Sequence, residues 1–475
     1  MSQIRRGFLQ SALRNRDVAI GAGVPEELGT LHTDTRTLVS GQLFLALVGE
    51  RFDAHGFIDS ALKIDATAVI AEKKRVPAGI AADRLVLVDD TLLALQDIAR
   101  AHLEAMPATR LALTGSNGKT TTKELAAAAL RACYGEEAVW ATRGNLNNHI
   151  GVPLTALEVH EAHRAVIFEM GMNHLGEIAD LTRIVQPSAG LITQIGTAHA
   201  GNVGGIDGVA RAKGELFAGL ATDAAAIVNV DDPRCVAQAA EHGCTRQLTY
   251  GAAENADVRI VESHAMEQGG TALTLAWRGQ HVETSIPLDG IHNVRNAAGA
   301  IALCMAMEVD FETAVLGLAH ADGIGGRLQR KSSPRGALIL DDTYNANPDS
   351  MEAGLRVLAE IAGPRRRIAA LGEMREVEAA EAAHHNIGRY AVEQGVALLF
   401  ACGEAARSCI AGALEAGLSP DACVWAGDSR ELAELVSSAV GENDVVLVKG
   451  SRGARMEIVV DGMMKQSEAG GRGVS

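Results

Sequence analysis

A glycine-rich segment at residues 114–124 constrains the fold of this chain most strongly; it reads TGSNGKTTTKE. An apolar run precedes it at 111–113, and an alanine-rich run with strong helix propensity follows at 125–133. Glycines let backbone N–H groups approach a phosphate, and the start of a helix adds partial positive charge. The order of strand, glycine loop and helix therefore predicts a nucleotide-binding α/β domain.

The residues of this loop indicate how ATP would be bound. Lys119 can reach the β- and γ-phosphates, and the Thr120 hydroxyl can bind Mg²⁺. The loop reads GxxGKT, with its glycines closer together than in the usual GxxxxGK[ST] pattern, which indicates a particular branch of phosphate-loop ATPases. An ordinary glycine turn before a helix is the alternative, but strand, loop and helix all agree with nucleotide binding. We predict ATP contacts from Gly115, Ser116, Asn117, Gly118, Lys119, Thr120 and Thr121.

Composition restricts the class of protein around this loop. The 475 residues suffice for about two to four domains, and a hydrophobic content of 47% supports large cores. A net charge of −16 disfavours nucleic acid and anionic membranes as partners. No apolar run approaches a membrane span, residues 4–13 are too short and polar for a signal peptide, and the seven cysteines lack metal-binding spacing. We therefore expect a cytoplasmic protein with reduced thiols.

Residues 1–108 predict a small α/β domain. Asp34, Thr35 and Arg36 lie on a polar loop before a strand, where they would either bind a ligand or form a solvated turn. Met106-Pro107-Ala108 predicts a linker to the next domain. Strands are predicted at 43–48, 68–71 and 86–88, and helices at 57–62 and 92–103.

Residues 109–322 repeat a pattern in which an apolar strand is followed by a polar residue. Glu169 comes directly after the run 165–168, and His199 comes four residues after the run 191–195. Lys213 lies on a predicted helix between His199 and a further strand at 226–230. In parallel α/β sheets ligands bind at the carboxyl ends of strands, so Glu169 and His199 are predicted beside a nucleotide-bound metal. Each residue by itself is equally consistent with a solvated surface group, but the repeated placement favours a site.

Three further features complete the central segment. The run 142–155 (TRGNLNNHIGVPLT) is too polar for a core, and it carries Asn145 and Asn147. The β-rich stretch 247–287 predicts an antiparallel patch attached to this domain. A helix then begins near Asn293 and Asn296.

Residues 323–475 alternate strands and helices, which predicts a Rossmann-like domain. Gly325-Gly326-Arg327 predicts a linker into it. Strands are predicted at 337–340, 368–371, 397–401, 424–426 and 445–448, and a helix at 351–361. The predicted fold is therefore α/β in three domains: a small N-terminal domain, a central phosphate-loop domain with a parallel sheet plus an antiparallel patch, and a C-terminal Rossmann-like domain.

Several separated motifs resemble those of the Mur ligases, the ATP-dependent amide-forming enzymes of peptidoglycan synthesis. They cover nearly the whole chain in the family's order: TGSNGKTTTKE, FEMG, ITQIGTAH, ARAKGE, GIHNVRNAAGA and LVKGSRGARME. Two more, DDTYNANPDSMEAGL and LGEMREVE, resemble the branch that adds D-Ala-D-Ala, whereas the DNPR-type motif of the branch that adds the third residue does not occur. The resemblance implies ligation of D-Ala-D-Ala to UDP-MurNAc-tripeptide through an acyl phosphate. We also expect a monomer, with small-molecule substrates and no nucleic-acid partner.

The resemblance also implies a role for each candidate residue. Catalysis would depend on Lys119, His199 and Lys213. Two Mg²⁺ ions would be held by Thr120, Glu169, His199 and Lys213, the lysine as a carbamate. Further ATP contacts would come from Asn293 and Asn296 beside the adenine, and from Arg327 and Asp342 of the last domain. Substrate would be bound by Asp34, Thr35 and Arg36 at the UDP end, and elsewhere by Asn145, Asn147, Asn345, Asn347, Lys449 and Ser451.

Three other functions compete with this interpretation. A phosphate-loop kinase or plain ATPase would explain Lys119 but not the YNANP and KGSR turns of the last domain. A folylpolyglutamate synthetase would share the central domain but lack the first α/β unit. A non-catalytic nucleotide-binding scaffold would not need Glu169, His199 and Lys213 together. The third residue of the acceptor peptide stays open between meso-diaminopimelate and lysine.

Overall fold

The structure, a computed structural model, describes residues 3–49, 52–322, 325–375, 377 and 379–465. Mixed α/β regions follow one another along the chain, with parallel-dominated sheets, which confirms the predicted fold class. The predicted domain boundaries at 108/109 and 322/323 stay predictions, and residue 323 lies outside the described residues.

The N-terminal region is a small sheet in the order β2-β7-β6-β5-β4, with β1 and β3 paired beside it. Helix α3 begins at Thr91 because the side chain of Asp90 caps it by accepting from the Leu93 N–H. The strands are β1 (Ile4–Arg5), β2 (Ala19–Ile20), β3 (Glu27–Gly29), β4 (Leu31–His32), β5 (Leu43–Leu45), β6 (Ala68–Glu72) and β7 (Leu85–Val88). The helices are α1 (Arg6–Ala12), α2 (Ile58–Lys63) and α3 (Thr91–Ala105), with 3₁₀ turns at Ala54–Phe57 and Ala82–Arg84.

The central sheet has the order β16-β15-β14-β13-β12-β11-β8-β10-β9. Its strands are β8 (Thr109–Thr114), β9 (Val139–Ala141), β10 (Ala165–Glu169), β11 (Ala189–Ile192), β12 (Ala225–Asn229), β13 (Gln247–Gly251), β14 (Val258–Ala265), β15 (Thr271–Trp277) and β16 (Gln280–Ile286). Its helices are α4 (Lys119–Tyr134), α5 (Gly151–Ala156), α6 (Glu177–Val185), α7 (Ala200–Val203), α8 (Gly205–Ala218), α9 (Pro233–Glu241), α10 (Ile291–Met305) and α11 (Phe311–Gly317). Short 3₁₀ turns lie at Glu136–Ala138 and Leu318–His320.

The strand order places a topological switch at β8. The chain runs from β8 through β9 to β10 on one side and then crosses to β11 on the other. Ligands of open α/β sheets bind in the crevice that such a switch opens at the carboxyl ends of the strands. The switch therefore marks the end of β8, directly before the glycine loop, as the place for a nucleotide.

The antiparallel patch is more closely joined to the sheet than the sequence predicts. Strands β14, β15 and β16 pair antiparallel as predicted. Strand β13, which opens the same stretch, instead pairs parallel with both β12 and β14. The patch is thus a continuation of the central sheet, since β13 extends the parallel ladder into it.

The C-terminal region is a sheet in the order β17-β18-β22-β19-β20-β21, parallel except for the antiparallel edge strand β17. Strand β17, which the sequence did not predict, brings Arg330 against the central region. The strands are β17 (Gln329–Ser332), β18 (Leu338–Asp342), β19 (Arg366–Gly372), β20 (Leu398–Cys402), β21 (Cys423–Ala426) and β22 (Asp444–Lys449). The helices are α12 (Pro348–Ala362), α13 (Ala380–Glu393), α14 (Arg407–Glu415), α15 (Ser429–Ala439) and α16 (Glu457–Lys465), with 3₁₀ turns at Pro420–Ala422 and Arg452–Ala454.

Arg330 forms a bidentate ion pair with Asp289 of the central region. Its Nε and Nη2 donate to the two carboxylate oxygens, each at 2.7 Å. Asp289 Oδ1 also accepts from the backbone N of Gly270 at 3.0 Å, so the same carboxylate holds the turn between β14 and β15. The antiparallel extension of the central sheet thus provides the surface on which β17 docks.

The cores consist mainly of aliphatic side chains, as expected from an aromatic content of 3%. One apolar cluster runs from Leu9 and Leu95 in the N-terminal region to Val166 and Ile178 in the central region. These two regions therefore share a continuous core. Within the described ranges no helix is both long and apolar enough to cross a membrane. The seven cysteines all lie in described ranges and carry free thiols.

Candidate active site

A cavity of about 850 Å³ lies between the carboxyl ends of the central strands and the C-terminal region. This volume is in the range of small-molecule sites. Most of the residues predicted from sequence line it: Ser116, Asn117, Gly118, Lys119, Thr120, Thr121, Asn145, Asn147, Glu169, His199, Asn293, Asn296, Arg327, Asp342, Asn345, Asn347, Lys449 and Ser451. Motifs up to 335 positions apart thus meet in one cavity, which is what a multi-substrate site requires.

The glycine loop connects β8 to α4 and needs its two glycines. Gly115 has φ +152°, and a Cβ there would overlap the hydroxyl of Thr193 at the end of β11. Gly118 has φ +84°, a left-handed conformation, and a Cβ there would overlap Asn296 Oδ1 on α10. Neighbouring elements therefore pack against the loop backbone as closely as glycine allows.

Lys119 and Thr120 open helix α4 at the cavity. Lys119 Nζ donates to the carbonyl oxygens of Gly115 at 2.6 Å and Ser116 at 3.4 Å. Thr120 Oγ1 accepts from Nη2 of Arg327 at 2.9 Å, and this guanidinium lies 4.3 Å from the ring centroid of Tyr344. A residue of the C-terminal region thus contacts the Thr120 hydroxyl, which is predicted to bind Mg²⁺.

Glu169 is the last residue of β10 and is buried. Its Oε1 accepts from Asn147 Nδ2 at 2.9 Å, whereas Oε2 is buried without a hydrogen-bond partner among the described residues. A buried carboxylate oxygen without a partner is costly, and a cation would satisfy it. In the part of the chain that the structure describes, no group of three His, Cys, Asp or Glu side chains is arranged around a metal position. The donor set fits Mg²⁺ if hydroxyl, phosphate or carbamate oxygens join Glu169.

His199 and Lys213 lie close to Lys119, and their pKa values reflect it. Burial, and then the charges of Lys119 and Lys213, lower the pKa of His199 to about 4, so the imidazole is neutral at pH 7. Burial, and then Lys119, hold the pKa of Lys213 well below its ordinary value. Lys213 is fully enclosed on α8 and does not line the cavity surface. Its surroundings favour a neutral amine, which is the form that reacts with CO₂.

The predicted residues of the C-terminal region form a hydrogen-bonded group at the ends of β18 and β22. Lys449 Nζ pairs with Asp342 Oδ2 at 2.7 Å and donates to the Asn345 carbonyl at 2.9 Å. Ser451 Oγ accepts from the Arg375 backbone N at 2.8 Å. Asn347 exchanges amide hydrogen bonds with Asn117 of the glycine loop, at 2.7 and 3.3 Å. This last pair bridges the cavity.

Asn293 and Asn296 lie on α10, and Asn296 approaches the glycine loop at Gly118. Asn293 is buried and donates to the Asp289 carbonyl at 2.8 Å. Asn296 donates to Asn293 Oδ1 at 3.1 Å, and its own Oδ1 accepts from Thr122 at 3.4 Å. Asn296 therefore links α10 to the first turn of α4, and Asn293 holds Asn296 in place. The contact of both residues with adenine stays a prediction.

Asp34, Thr35 and Arg36 lie apart from the cavity lining. Arg36 Nη2 pairs with Asp34 Oδ2 at 2.6 Å on the exposed surface of the N-terminal region. Hydrogen bonds from Arg36 lower the pKa of Asp34 to about 2. This loop therefore carries a fixed ion pair, and its contact with a UDP group stays a prediction.

Sequence reasoning missed several cavity residues: Thr193, Tyr344, Asp349 and Arg375. Tyr344 and Asp349 lie inside the TYNANPDS turn, whose polar character was a usable signal. Thr193 lies within the run 191–195, and its contact with Gly115 depends on the pairing of β8 with β11. That pairing is a tertiary feature, so no local pattern indicates Thr193.

Comparisons with known proteins agree with this geometry. The family descriptions "Mur ligase middle domain" and "Mur ligase, glutamate ligase domain" match residues 113–304 and 326–452. The UDP-N-acetylmuramoyl-tripeptide–D-alanyl-D-alanine ligase of Escherichia coli K12 is 36% identical over 442 residues, which is 92% of this chain and 94% of the relative. The protein of that name from Bacillus subtilis 168 is 35% identical, over 91% of this chain and 92% of the relative.

Solved structures give the same result. A crystal structure of MurF from Acinetobacter baumannii superimposes with a TM-score of 0.87 at 32% identity, covering 98% of this chain and 100% of that one. MurF from Thermotoga maritima in complex with ADP gives 0.79 at 26% identity, covering 92% and 97%. The chain therefore belongs to the Mur ligase family, in the branch whose curated members are named UDP-N-acetylmuramoyl-tripeptide–D-alanyl-D-alanine ligases.

Proposed function

We propose that this chain is an ATP-dependent ligase that joins D-Ala-D-Ala to UDP-MurNAc-tripeptide in peptidoglycan synthesis. One observation supports it above the others: the glycine loop and the YNANP and KGSR turns line a common cavity. A phosphate-loop kinase or ATPase has no need of those turns. The relatives that carry this name match the chain over nine-tenths of both lengths.

The reaction needs an activated carboxylate, because the leaving group of a free carboxylate would be oxide. The peptide carboxylate attacks the γ-phosphorus of ATP, and the bond to the bridging oxygen of ADP breaks, which gives an acyl phosphate. The amine of D-Ala-D-Ala then attacks the acyl carbon and loses a proton, and phosphate leaves. Positioning three ligands and neutralising the transferred phosphoryl group are the main tasks of the protein.

Lys119 and Arg327 are suited to the phosphoryl group. Lys119 Nζ lies on the carbonyls of the glycine loop, and the Arg327 guanidinium donates to Thr120 from the opposite side of the cavity. When phosphates enter between them, both cations exchange these contacts for phosphate oxygens. They would then stabilise charge that develops during transfer.

Thr120, Glu169, His199 and Lys213 would hold two Mg²⁺ ions. Bound Mg²⁺ would neutralise charge between the triphosphate and the incoming carboxylate. Glu169 offers a buried oxygen without a hydrogen-bond partner among the described residues, and His199 offers a neutral imidazole. Lys213 as an ammonium would repel a cation. Its depressed pKa supports reaction of the neutral amine with CO₂, which replaces the positive charge by a carbamate with two oxygen donors.

The remaining candidates would bind the peptide substrates. Asn345, Asn347, Lys449 and Ser451 face the cavity from the C-terminal region and would contact the peptide and dipeptide, with Asn145 and Asn147 on the opposite wall. Asp34, Thr35 and Arg36 would bind the UDP end from the N-terminal region. We further propose a cytoplasmic monomer, in keeping with its free thiols.

A product assay tests the function. Purified protein is incubated with ATP, Mg²⁺, D-Ala-D-Ala and each tripeptide nucleotide, with meso-diaminopimelate or lysine in third position, and the products are weighed by mass spectrometry. We expect a mass increase of one dipeptide minus water, with ATP consumption that depends on D-Ala-D-Ala. ATP hydrolysis without that dependence would favour a plain ATPase, and addition of glutamate to a folate would favour a folylpolyglutamate synthetase.

A further inference from the structure

Asp349 lies in the first turn of helix α12, and its side chain reaches across the cavity to the loop that ends at His199. Asp349 Oδ2 accepts hydrogen bonds from the Thr197 backbone N at 3.0 Å and from Thr197 Oγ1 at 3.3 Å. A Cβ added at Gly196 would overlap the same carboxylate oxygen. The C-terminal region thus touches the central region two residues before His199.

The central region holds the earlier part of this loop by its own side chains. The backbone N of Ile195 donates to Asp232 Oδ2 at 2.8 Å, and that of Gly196 donates to Ser116 Oγ at 2.9 Å. The next backbone N, that of the exposed Thr197, donates to Asp349 of the other region. The acceptors for the loop backbone thus belong to the central region up to Gly196 and to the C-terminal region at Thr197.

His199 needs such support because its backbone is left-handed, with φ +64°. A non-glycine residue keeps this conformation where surrounding contacts fix it. The Thr197 carbonyl accepts from the Ala200 backbone N at 3.2 Å, so a fixed Thr197 also fixes the turn around His199. We propose that Asp349 is a positioning residue: its carboxylate orders the loop 197–199, and with it His199, when the C-terminal region docks. This inference rests on the proposed function, for which it couples docking to assembly of the nucleotide site.

Asp349 also lies in the first turn of α12, where a carboxylate is favourable near the helix N-terminus. That role by itself predicts that Asp349→Ala weakens α12 and leaves the loop at His199 unchanged. Gly196→Ala separates the two roles, because Gly196 belongs to the other region. Its new methyl group would displace the Asp349 carboxylate but lie at an ordinary 3.5 Å from Ser116 Cβ.

Hydrogen–deuterium exchange of the full-length protein without ligands tests the contact. The peptide that contains Thr197 and His199 is followed in the wild type, Asp349→Ala, Gly196→Ala and the double variant. Loss of one hydrogen bond to a charged group is expected to speed exchange by about 10-fold. We expect this increase in each single variant and no further increase in the double variant. Glu360→Ala, which removes an exposed acid from the same helix, is the matched control and should exchange like the wild type.

Ligation assays complete the test. Turnover should fall about 10- to 100-fold in Asp349→Ala and Gly196→Ala, since small misplacements of a site cost about that much. Wild-type exchange in Asp349→Ala, or independent and additive effects of the two substitutions, would overturn the positioning role. The exchange pattern needs no substrate. If it holds while the wild type forms no dipeptide product, the proposed function fails and the contact stands.

Discussion

The two walls of the cavity are built differently. On the central wall, Thr120 and Glu169 are buried at the ends of a helix and a strand, and Lys213 is enclosed behind them. On the C-terminal wall, Asp342 and Lys449 are also buried at strand ends, but Asn345 and Arg375 are exposed on turns. The contacts between the walls are hydrogen bonds such as that between Asn117 and Asn347.

This difference indicates that the two walls have different roles in catalysis and in substrate binding. A buried wall on regular elements keeps its geometry without ligands, as preorganised electrostatic catalysis requires. The exposed turns of the C-terminal wall can adapt to a substrate, and the wall as a whole depends on docking for its position. We therefore expect substitutions on the central wall to abolish chemistry, and changes farther away to affect binding or stability.

The largest effect is expected from Lys119→Ala. Removing the ammonium that we propose to contact the γ-phosphate should lower ligation turnover by about 10²- to 10³-fold or more. Lys119 is partly exposed, so the thermal unfolding midpoint should change little. Turnover assays beside thermal unfolding check this. Near-normal turnover in a folded variant would exclude Lys119 from the mechanism and contradict a preformed central wall.

Lys213 provides the second test of the central wall. Lys213→Arg keeps the charge but cannot form a carbamate, so turnover should fall by about 10²-fold. Lys213→Met, a neutral chain of similar length, should be equally inactive but at least as stable as the wild type, because it removes a buried amine. Carbon-13 NMR in labelled bicarbonate should show a carbamate signal in the wild type that both variants lack. Full activity of the Arg variant would rule out the carbamate.

The N-terminal region offers a smaller effect, confined to binding. Arg36→Ala should weaken binding of UDP-MurNAc-tripeptide by roughly 10-fold or more, as expected for a lost hydrogen bond to a charged group, and leave ATP affinity nearly unchanged. A point substitution is chosen because the N-terminal region shares an apolar core with the central region, which a truncation would expose. Calorimetric titration measures both ligands. Unchanged affinity for the UDP substrate would show that its UDP group binds elsewhere on the protein.

The smallest effect is expected on the pH dependence of stability. It distinguishes His199, a candidate site residue, from His163, which lies outside the cavity. Burial lowers the pKa of both His199 and His163 to about 4, from an ordinary value near 6.5. As pH falls from about 6.5 to 4, the unfolded chain therefore binds protons first and stability declines. His199→Gln and His163→Gln should each flatten this decline in denaturant unfolding at pH 5 and 7.5, and His199→Gln should also lower ligation. Equal ligation by the two variants would contradict the role of His199.

The sequence predicted the central wall well because its signals are local. The glycines of the loop, and polar residues that follow apolar strands, predict that Lys119, Glu169 and His199 lie beside a nucleotide, and all three line the cavity. Thr193 and Asp349 were not predicted. The contact of Thr193 with Gly115 arises from strand order, and the contact of Asp349 with Thr197 arises from docking of the C-terminal region. Strand β17 was not predicted either, because QRKS has the composition of a solvated turn and pairs with β18 through tertiary structure.

The ion pair between Arg330 and Asp289 has a consequence for how the cavity opens. The pair joins two opposite charges through two parallel hydrogen bonds of 2.7 Å, which fix both distance and orientation. The contacts across the cavity instead join two neutral amides, or one charged group and one neutral group, at 2.7–3.3 Å. The C-terminal region should therefore rotate as a rigid body about a hinge. The axis of this rotation should lie where β17 docks beside the β14–β15 turn. A chemical cross-link at this axis should leave the enzyme working, whereas a cross-link between Asn117 and Asn347 should lock it shut.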